Sequence, residues 1–503
     1  MASQDPKLHF VLFPMMAQGH MIPMMDIAKI LAQHHNVMVT IVTTPHNASR
    51  YTSILARYLE SGLHIQLVQL KFPFKESGLP EGCENLDMLP SLGAATNFFN
   101  SSKFLQQEVE KLFEELTPSP TCIISDMCLP YTVHIARKFN IPRISFGGIN
   151  CLYLLCLHNL HVNNIMQTMA NNEFEYFDVP GIPDKIEINI AQTGLGLKGE
   201  AWEQFNSDLA EAEMGTYGVI MNSFEELEPA YAREFKKVKN DKVWCIGPVS
   251  LSNTDYLDKI QRGNNNKVSI DEWEHLKWLD SQKQGSVLYA CLGSLCNITP
   301  LQLIELGLAL EATKIPFIWV LREGNELEEL KKWIEESGFE ERINGRGLVI
   351  KGWAPQLLIL SHLAIGGFLT HCGWNSTLEA ICAGVPMVTW PLFADQFLNE
   401  CLVVQILKVG VKIGVKSPMK WGEEEDGVLV KKEDIERGIE KLMDETSECK
   451  ERRKRIRELA EMAKKAVEKG GSSHSNISLF IQDIMKKNKD MMSSFTNGNA
   501  NSK

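Results

Sequence analysis

The chain has 503 residues, 44% hydrophobic and 23% charged, which is the balance of an α/β protein too long for one typical core. Its net charge of -12 disfavours a non-specific nucleic-acid or anionic-membrane binder, so an anionic ligand would be met by local dipoles and a few donors. The twelve cysteines form no C-x-x-C pair and no zinc-ligand spacing. Many lie in apolar runs, Cys122 and Cys291 among them, which implies reduced, core-packed thiols and a cytoplasmic location.

Leu8–Pro14 reads as a fully buried strand, not a signal peptide, because its apolar run is short and no basic region precedes it. A loop through Gly19 and His20 leads to a helical pattern from Met21 to about Gln33, then to a β-branched strand at Val37–Thr43. The theme returns at Thr121–Ser125, Arg143–Phe146, Gly218–Asn222 and Val243–Ile246. The first half, residues 1–247, is thus a doubly wound domain with a parallel sheet. Residues 248–267 are polar and Asn-rich and read as a linker. A second series follows within 268–474: Val287–Leu292, Phe317–Leu321, Leu348–Lys351, Gly367–Thr370 and Pro386–Trp390, with helices at Pro300–Thr313 and Ser376–Ala383. Glu451–Lys469 is a helix with a solvated basic face. Ser475–Lys487 is amphipathic and reads as a closing helix within 475–489, and residues 490–503 as a disordered tail. No run of about twenty apolar residues exists, so no membrane span is expected.

Two facing Rossmann-like domains place ligands at the carboxyl ends of their strands, and the polar clusters stand at those ends. Trp353 follows Leu348–Lys351, where an indole suits stacking on a nucleobase, a Trp packed under a loop being the alternative. Ala354 offers backbone groups there, and Gln356 an amide suited to a base edge or a ribose. After Gly367–Thr370 come His371, Cys372, Gly373 and Trp374, then a helix expected to start near Asn375 or Ser376. Its free N–H groups and dipole suit phosphate, with His371, Asn375 and Ser376 as added donors. Glu379, one turn in, suits ribose hydroxyls. Asp395 and Gln396 follow Pro386–Trp390 and suit sugar hydroxyls, while Gly293 and Ser294 allow close approach to a phosphate. There is no G-x-G-x-x-G after either first strand, no G-x-x-x-x-G-K-[ST] loop and no Asp-x-Asp, so neutral donors and a helix dipole are expected in place of a metal. In the first half, His20 and Asp126 each follow a strand and together form a candidate base and its orienter. With no serine nucleophile near them in sequence, the base would act on a substrate hydroxyl.

Trp353–Gln396, opening WAPQ, passing through FLTHCGWNSTLEA and closing GVPMVTWPLFADQ, resembles the signature box of plant family-1 UDP-glycosyltransferases. PMMAQGHMIPMMDIAKIL resembles that family's catalytic-histidine segment, SDMCLP its catalytic-aspartate segment, and WGEEEDGVLVKKEDIE its group D branch. The resemblance spans about residues 8 to 488 and implies a GT-B fold: an acceptor domain, a UDP-sugar domain, and a last helix crossing back to the first. It implies His20 as base and Asp126 as its partner. It places Trp353 on uracil, Ala354 in backbone contact, and Gln356 and Glu379 on ribose. Ser294, His371, Asn375 and Ser376 would hold the diphosphate, and Trp374, Asp395 and Gln396 would line the sugar. A terminal Gln in the box favours glucose.

The expected activity is inverting transfer from a UDP-sugar, without metal or other cofactor, to a hydroxyl of a lipophilic plant metabolite (triterpenoid, steroid or flavonoid), by a monomer that binds no nucleic acid. Candidate acceptor-lining segments are Glu84–Asn97, Gly147–His158 and Leu195–Phe205, which mix apolar and aromatic residues. A non-catalytic binding protein, or a sugar-nucleotide hydrolase or epimerase on the same fold, remains the alternative.

Overall fold

The computed structural model describes residues 8–169, 172–194, 199–263, 270–295, 298–322, 328–422 and 430–500. Seven strands of the first half are β1 (Leu8–Phe13), β2 (Val37–Thr43), β3 (Ile65–Gln69), β4 (Cys122–Asp126), β5 (Arg143–Gly147), β6 (Gly218–Met221) and β7 (Val243–Cys245). They form one sheet in the order β3-β2-β1-β4-β5-β6-β7. Every pairing in it is parallel, with Leu8 opposite Val37 and Phe10 opposite Cys122. Helices cover both faces, which is why β1 is buried along its whole length and reads as an unbroken apolar run.

The second half repeats the plan with β8 (Val287–Cys291), β9 (Phe317–Leu321), β10 (Gly347–Lys351), β11 (Ile365–Thr370), β12 (Met387–Thr389) and β13 (Gly410–Lys412). Their order is β10-β9-β8-β11-β12-β13, again all parallel. The strands expected from the sequence are present, and one edge strand joins each sheet unannounced, β3 and β13. β3, IQLVQ, interrupts its apolar residues with glutamines and is only half-buried, and β13 is three residues long, so neither carries a long apolar run.

Two expectations are corrected. Helix α1 runs Gln18–Ala32, so His20 lies in its first turn and not in a loop. Gly19 and Pro23 lower local helix propensity and hide the start, but the backbone enters the helix at Ala17 regardless. The stretch read as a linker holds regular structure between the two sheets. Val249–Ser252 forms a 3-10 turn, and Tyr256–Gln261 forms helix α2, capped by the Asp255 side chain on Leu257 N–H; residues 264–267 lie outside the described residues. Finally, the last helix spans Ser472–Ala500, beginning before 475 and continuing through the stretch expected to be a disordered tail. From Ser472 to Ala500 that segment holds no Pro and only one Gly, Gly498, so little stops helix propagation; 501–503 lie outside the described residues.

That helix crosses back to the first sheet. Phe480 packs on Phe10 and Trp244, with ring centroids 5.6 and 5.2 Å apart. Asp483 accepts hydrogen bonds from Tyr217 at 2.8 Å and Lys242 at 2.7 Å. The basic helix at Ser447–Val467 buries Ile456, Ala460, Ala463 and Ala466 and leaves most of its charges at the surface. The two halves are packed together: one buried apolar cluster contains Leu152 and Cys156 from the first half, and Trp374 and Leu398 from the second.

Candidate active site

Parallel strands point their carboxyl ends the same way, and in both sheets those ends meet at one cleft. A cavity of about 1550 Å³ lies there, and His20, Ser294, Trp353, Ala354, Gln356, His371, Trp374, Asn375, Ser376, Glu379, Asp395 and Gln396 all line it. Asp126 stands behind His20, fully buried at the end of β4.

His20 and Asp126 form a bonded pair: Nδ1 of the ring lies 2.7 Å from Asp126 Oδ2. Asp126 is fixed in turn by the Cys128 N–H, which donates to Oδ1 at 2.9 Å. A carboxylate only accepts, so Nδ1 carries the proton and Nε2 is left as the basic atom. Burial disfavours the charged ring, but the charge and hydrogen bond of Asp126, with a smaller contribution from Asp395, outweigh it and raise the His20 pKa above the ordinary value. That contribution also places Asp395, on the opposite half, within electrostatic reach of the base. Burial pushes the Asp395 carboxyl up to about 6, against a 2.6 Å bond from Asn399, its own backbone and His20, which pull it down.

The second half builds a different environment. Helix α3 runs Trp374–Ala383 with Gly373 at its N-cap, so it starts one or two residues before the expected cap at Asn375 or Ser376. Cys372 makes this possible by taking φ of 65°, a left-handed conformation unusual for a residue with a side chain. The shift places Trp374, Asn375 and Ser376 in the first turn, where backbone N–H groups have no intrahelical acceptor. His371 leans on this turn between two glycines. A Cβ on Gly293 or Gly373 would stand 2.6 or 2.4 Å from its ring. Burial alone holds the His371 pKa down to about 4, and its Nδ1 is buried with no partner among the described residues. It is therefore a neutral ring at physiological pH.

Several side chains expected to be free for ligand are engaged across the cleft. The Trp374 indole N–H donates to the Asn222 carbonyl at 2.7 Å, so this side chain anchors α3 to the end of β6. Asn375 donates to the Gly19 carbonyl and accepts from Asn222 at 3.3 Å. The Gly19 carbonyl is available because Pro23, four residues on, has no N–H to bond it. The Gln396 carbonyl oxygen accepts from Leu392 and Phe393 N–H at 2.7 and 3.1 Å, leaving its NH₂ group for a ligand. Gln356 donates to Glu379 at 2.7 Å and to Ser376 at 3.2 Å. Trp353 keeps 36% of its surface exposed at the cavity wall.

Sequence reasoning missed Asn222, Asn399 and Arg262. Asn222 carries a signal, a polar residue at a strand's carboxyl end. Asn399 and Arg262 carry none, since one lies inside a helix and the other in a polar linker. Asn399 bridges the halves, accepting from Asn150 at 2.6 Å and donating to the Cys372 carbonyl at 2.8 Å. His20, Asp126 and Cys128 bring three potential metal-ligand atoms within 4.8 Å of one another.

Beyond His20 the cavity has an apolar and aromatic wall, with charged and polar residues such as Arg50, Asp87, His158, Glu213 and Lys242 also lining it. Each expected acceptor segment contributes: Leu86 and Met88; Ile149, Leu154 and Leu157; and Trp202 and Phe205 (195–198 lie outside the described residues). The second half adds Phe393 and Trp421, with Trp421 stacked on Phe99 at 6.4 Å and 12° and edge-on to Phe393 at 5.6 Å. Trp421 opens the segment with the group D resemblance, of which 423–429 lie outside the described residues.

Two facing parallel-sheet domains, with the His20–Asp126 pair at one lip of the cleft and a helix N-terminus at the other, define a GT-B architecture. Residues 241–420 match the family model described as UDP-glucoronosyl and UDP-glucosyl transferase. The chain is 57% identical over 487 residues to UDP-glycosyltransferase 73C5 of Arabidopsis thaliana, covering 96% of this chain and 98% of that one. It is 56% identical over 485 residues to UDP-glycosyltransferase 73C25 of Barbarea vulgaris, covering 96% and 97%. Among solved structures, it is similar to Glycyrrhiza uralensis UGT73P12 complexed with glycyrrhetinic acid 3-O-monoglucuronide, with a TM-score of 0.87 and 35% identity over 99% of both chains. It is also similar to Medicago truncatula UGT71G1 complexed with UDP-glucose, with a TM-score of 0.77 and 26% identity over 96% and 100%. The chain belongs to the plant family-1 UDP-glycosyltransferases and has their GT-B fold.

Proposed function

We propose that this enzyme transfers glucose from UDP-glucose to a hydroxyl of a lipophilic plant metabolite of the triterpenoid, steroid or flavonoid class, with inversion to a β-glycoside. The observation that carries the reading is the His20–Asp126 pair at the junction of an aromatic pocket and the start of α3. His20 Nε2 takes the acceptor's proton as its oxygen attacks the anomeric carbon, and Asp126 stabilises the imidazolium that forms. UDP departs on the opposite side, its charge met by the N–H groups of α3, by Ser294 and by neutral His371. Trp353 stacks on uracil, Ala354 offers backbone contacts, and Gln356 and Glu379 hold ribose. Asn375 and Ser376 serve the diphosphate, and Trp374, Asp395 and Gln396 face the sugar. An inverting displacement fits His20 and the start of α3 lying on opposite halves of the cleft.

Support for glucose is the terminal Gln396 and the likeness to a structure holding UDP-glucose. Support for a triterpenoid-sized acceptor is the aromatic and aliphatic wall of the cavity and the likeness to a structure holding a glycyrrhetinic acid glycoside. No described helix is long and apolar enough to cross a membrane. None of the described cysteines is in a disulfide, which supports a reducing, cytoplasmic setting. The enzyme acts as a monomer and needs no metal, the dipole of α3 standing in for one.

The test is mass spectrometry of products from a panel of triterpenoid, steroid and flavonoid acceptors with UDP-glucose, UDP-galactose and UDP-glucuronate, with and without EDTA. A β-glucoside formed equally well in EDTA is expected. Sugar release or conversion without any acceptor would overturn the transferase reading, and preference for another donor would overturn the glucose assignment.

A further inference from the structure

Arg262 closes helix α2 in the linker and reaches into both halves. Its Nε and Nη2 donate to Asp26 Oδ2 at 3.0 and 2.8 Å, on α1 of the first half. Its Nη1 donates to Glu379 Oε1, on α3 of the second. The outer ends of the array are also tied: Asn253 donates to Asp26 Oδ1 at 2.8 Å, and Gln356 to Glu379 Oε2 at 2.7 Å. Asp26, Arg262 and Glu379 are 1%, 9% and 4% exposed, so the whole array is buried, and Arg262 and Glu379 line the cavity.

Two carboxylates share one guanidinium here, which leaves an excess negative charge out of water. Such a charge is costly unless hydrogen-bond donors complete its shell. Each Glu379 oxygen already accepts one bond and has room for another, which suits the two hydroxyls of a vicinal diol, one to each oxygen. The guanidinium is planar and fixed on Asp26, so it sets the tilt of the Glu379 carboxylate as a flexible amine would not. The neighbouring residue reinforces this. Gly263 has φ of +80°, and a Cβ on it would stand 2.5 Å from Ile22 and 2.7 Å from the Trp353 indole. Its carbonyl accepts from Gln18 on α1 at 3.0 Å. Two consecutive linker residues thus touch the ribose carboxylate and the base-stacking indole, and both are tied to the first half.

We propose that Arg262, held by Asp26, is a positioning residue for donor recognition: it orients Glu379 toward the ribose diol and links that contact to the packing of α1 against α3. This rests on the reading of the cleft as a UDP-sugar site. The test is calorimetric titration of UDP and 2′-deoxy-UDP into the wild-type chain and Arg262→Lys, alongside steady-state kinetics. The wild type is expected to prefer UDP by at least about tenfold, and Arg262→Lys by no more than about threefold. The donor KM should rise about tenfold while kcat changes less than threefold, a split that general loosening of the fold would not give. The charge-balanced double variant Asp26→Asn/Arg262→Gln carries the same expectation if Arg262→Lys fails to fold. A folded variant that keeps the wild-type preference overturns the inference, as does a wild type that binds UDP and 2′-deoxy-UDP alike. A wild type that binds no UDP at all overturns the donor reading itself.

Discussion

His20, in the first turn of α1 beyond β1, and His371, directly after β11, lie on the carboxyl side of interior strands in two similar sheets, and their surroundings drive them in opposite directions. Burial disfavours the charged form of both rings. His20 has a carboxylate bonded to it at 2.7 Å, and its pKa rises. His371 has two glycines and, among the described residues, no charge partner, and burial holds it down to about 4. One ring thereby holds its proton more tightly, and the other stays neutral beside a helix terminus. The residue type alone assigns neither role; the presence or absence of one buried aspartate does.

The largest expected effect comes from removing the base. An aliphatic alcohol barely ionises at neutral pH, so His20→Ala should lower kcat for such an acceptor by about 10³-fold or more, with UDP affinity within about twofold of wild type. Undiminished turnover in that variant would sink the assignment, and retained turnover with a more acidic phenol would sharpen it.

Asp126→Asn should convert His20 toward the His371 condition. A protonated ring cannot accept a proton, so wild-type kcat should fall as pH drops through the raised His20 pKa. Without the Asp126 anion burial dominates, and this acid limb should move to lower pH while kcat falls about 10²- to 10³-fold. A pH–rate profile of both proteins checks it, and an unmoved limb would mean that another group controls the profile.

His371→Leu should give the smallest change. Losing one neutral group beside the diphosphate is expected to weaken UDP binding by about tenfold, or roughly 1.4 kcal/mol. The acid limb should stay in place, because His371 is already neutral wherever His20 titrates. A shifted limb would break the contrast between the rings.

Much of this cleft was legible in the chain. Strands buried on both faces must be apolar along their length, so β1, β2, β8, β9 and β11 announce themselves, and a parallel sheet sends their carboxyl ends to one edge. Polar residues at or beyond those ends, His20, Asp126, Trp353, His371 and Asp395, could therefore be assigned to one cleft. The helix starts were less legible. Gly19 and Pro23 mask the first turn of α1, and Gly373, not the better capping types Asn375 and Ser376, takes the N-cap of α3.

Sequence by itself determined two facing parallel-sheet domains, the family, and which local segments line the cleft, because those depend on apolar period and on residues close in the chain. Only the tertiary structure decided that Trp374 and Asn375 spend side-chain donors on Asn222 and Gly19, that Trp421 joins the aromatic wall of the cavity, and that Arg262 joins Asp26 to Glu379. Those contacts link groups more than a hundred residues apart. Sequence spacing does not encode which buried charge lies opposite which donor; packing the two halves does.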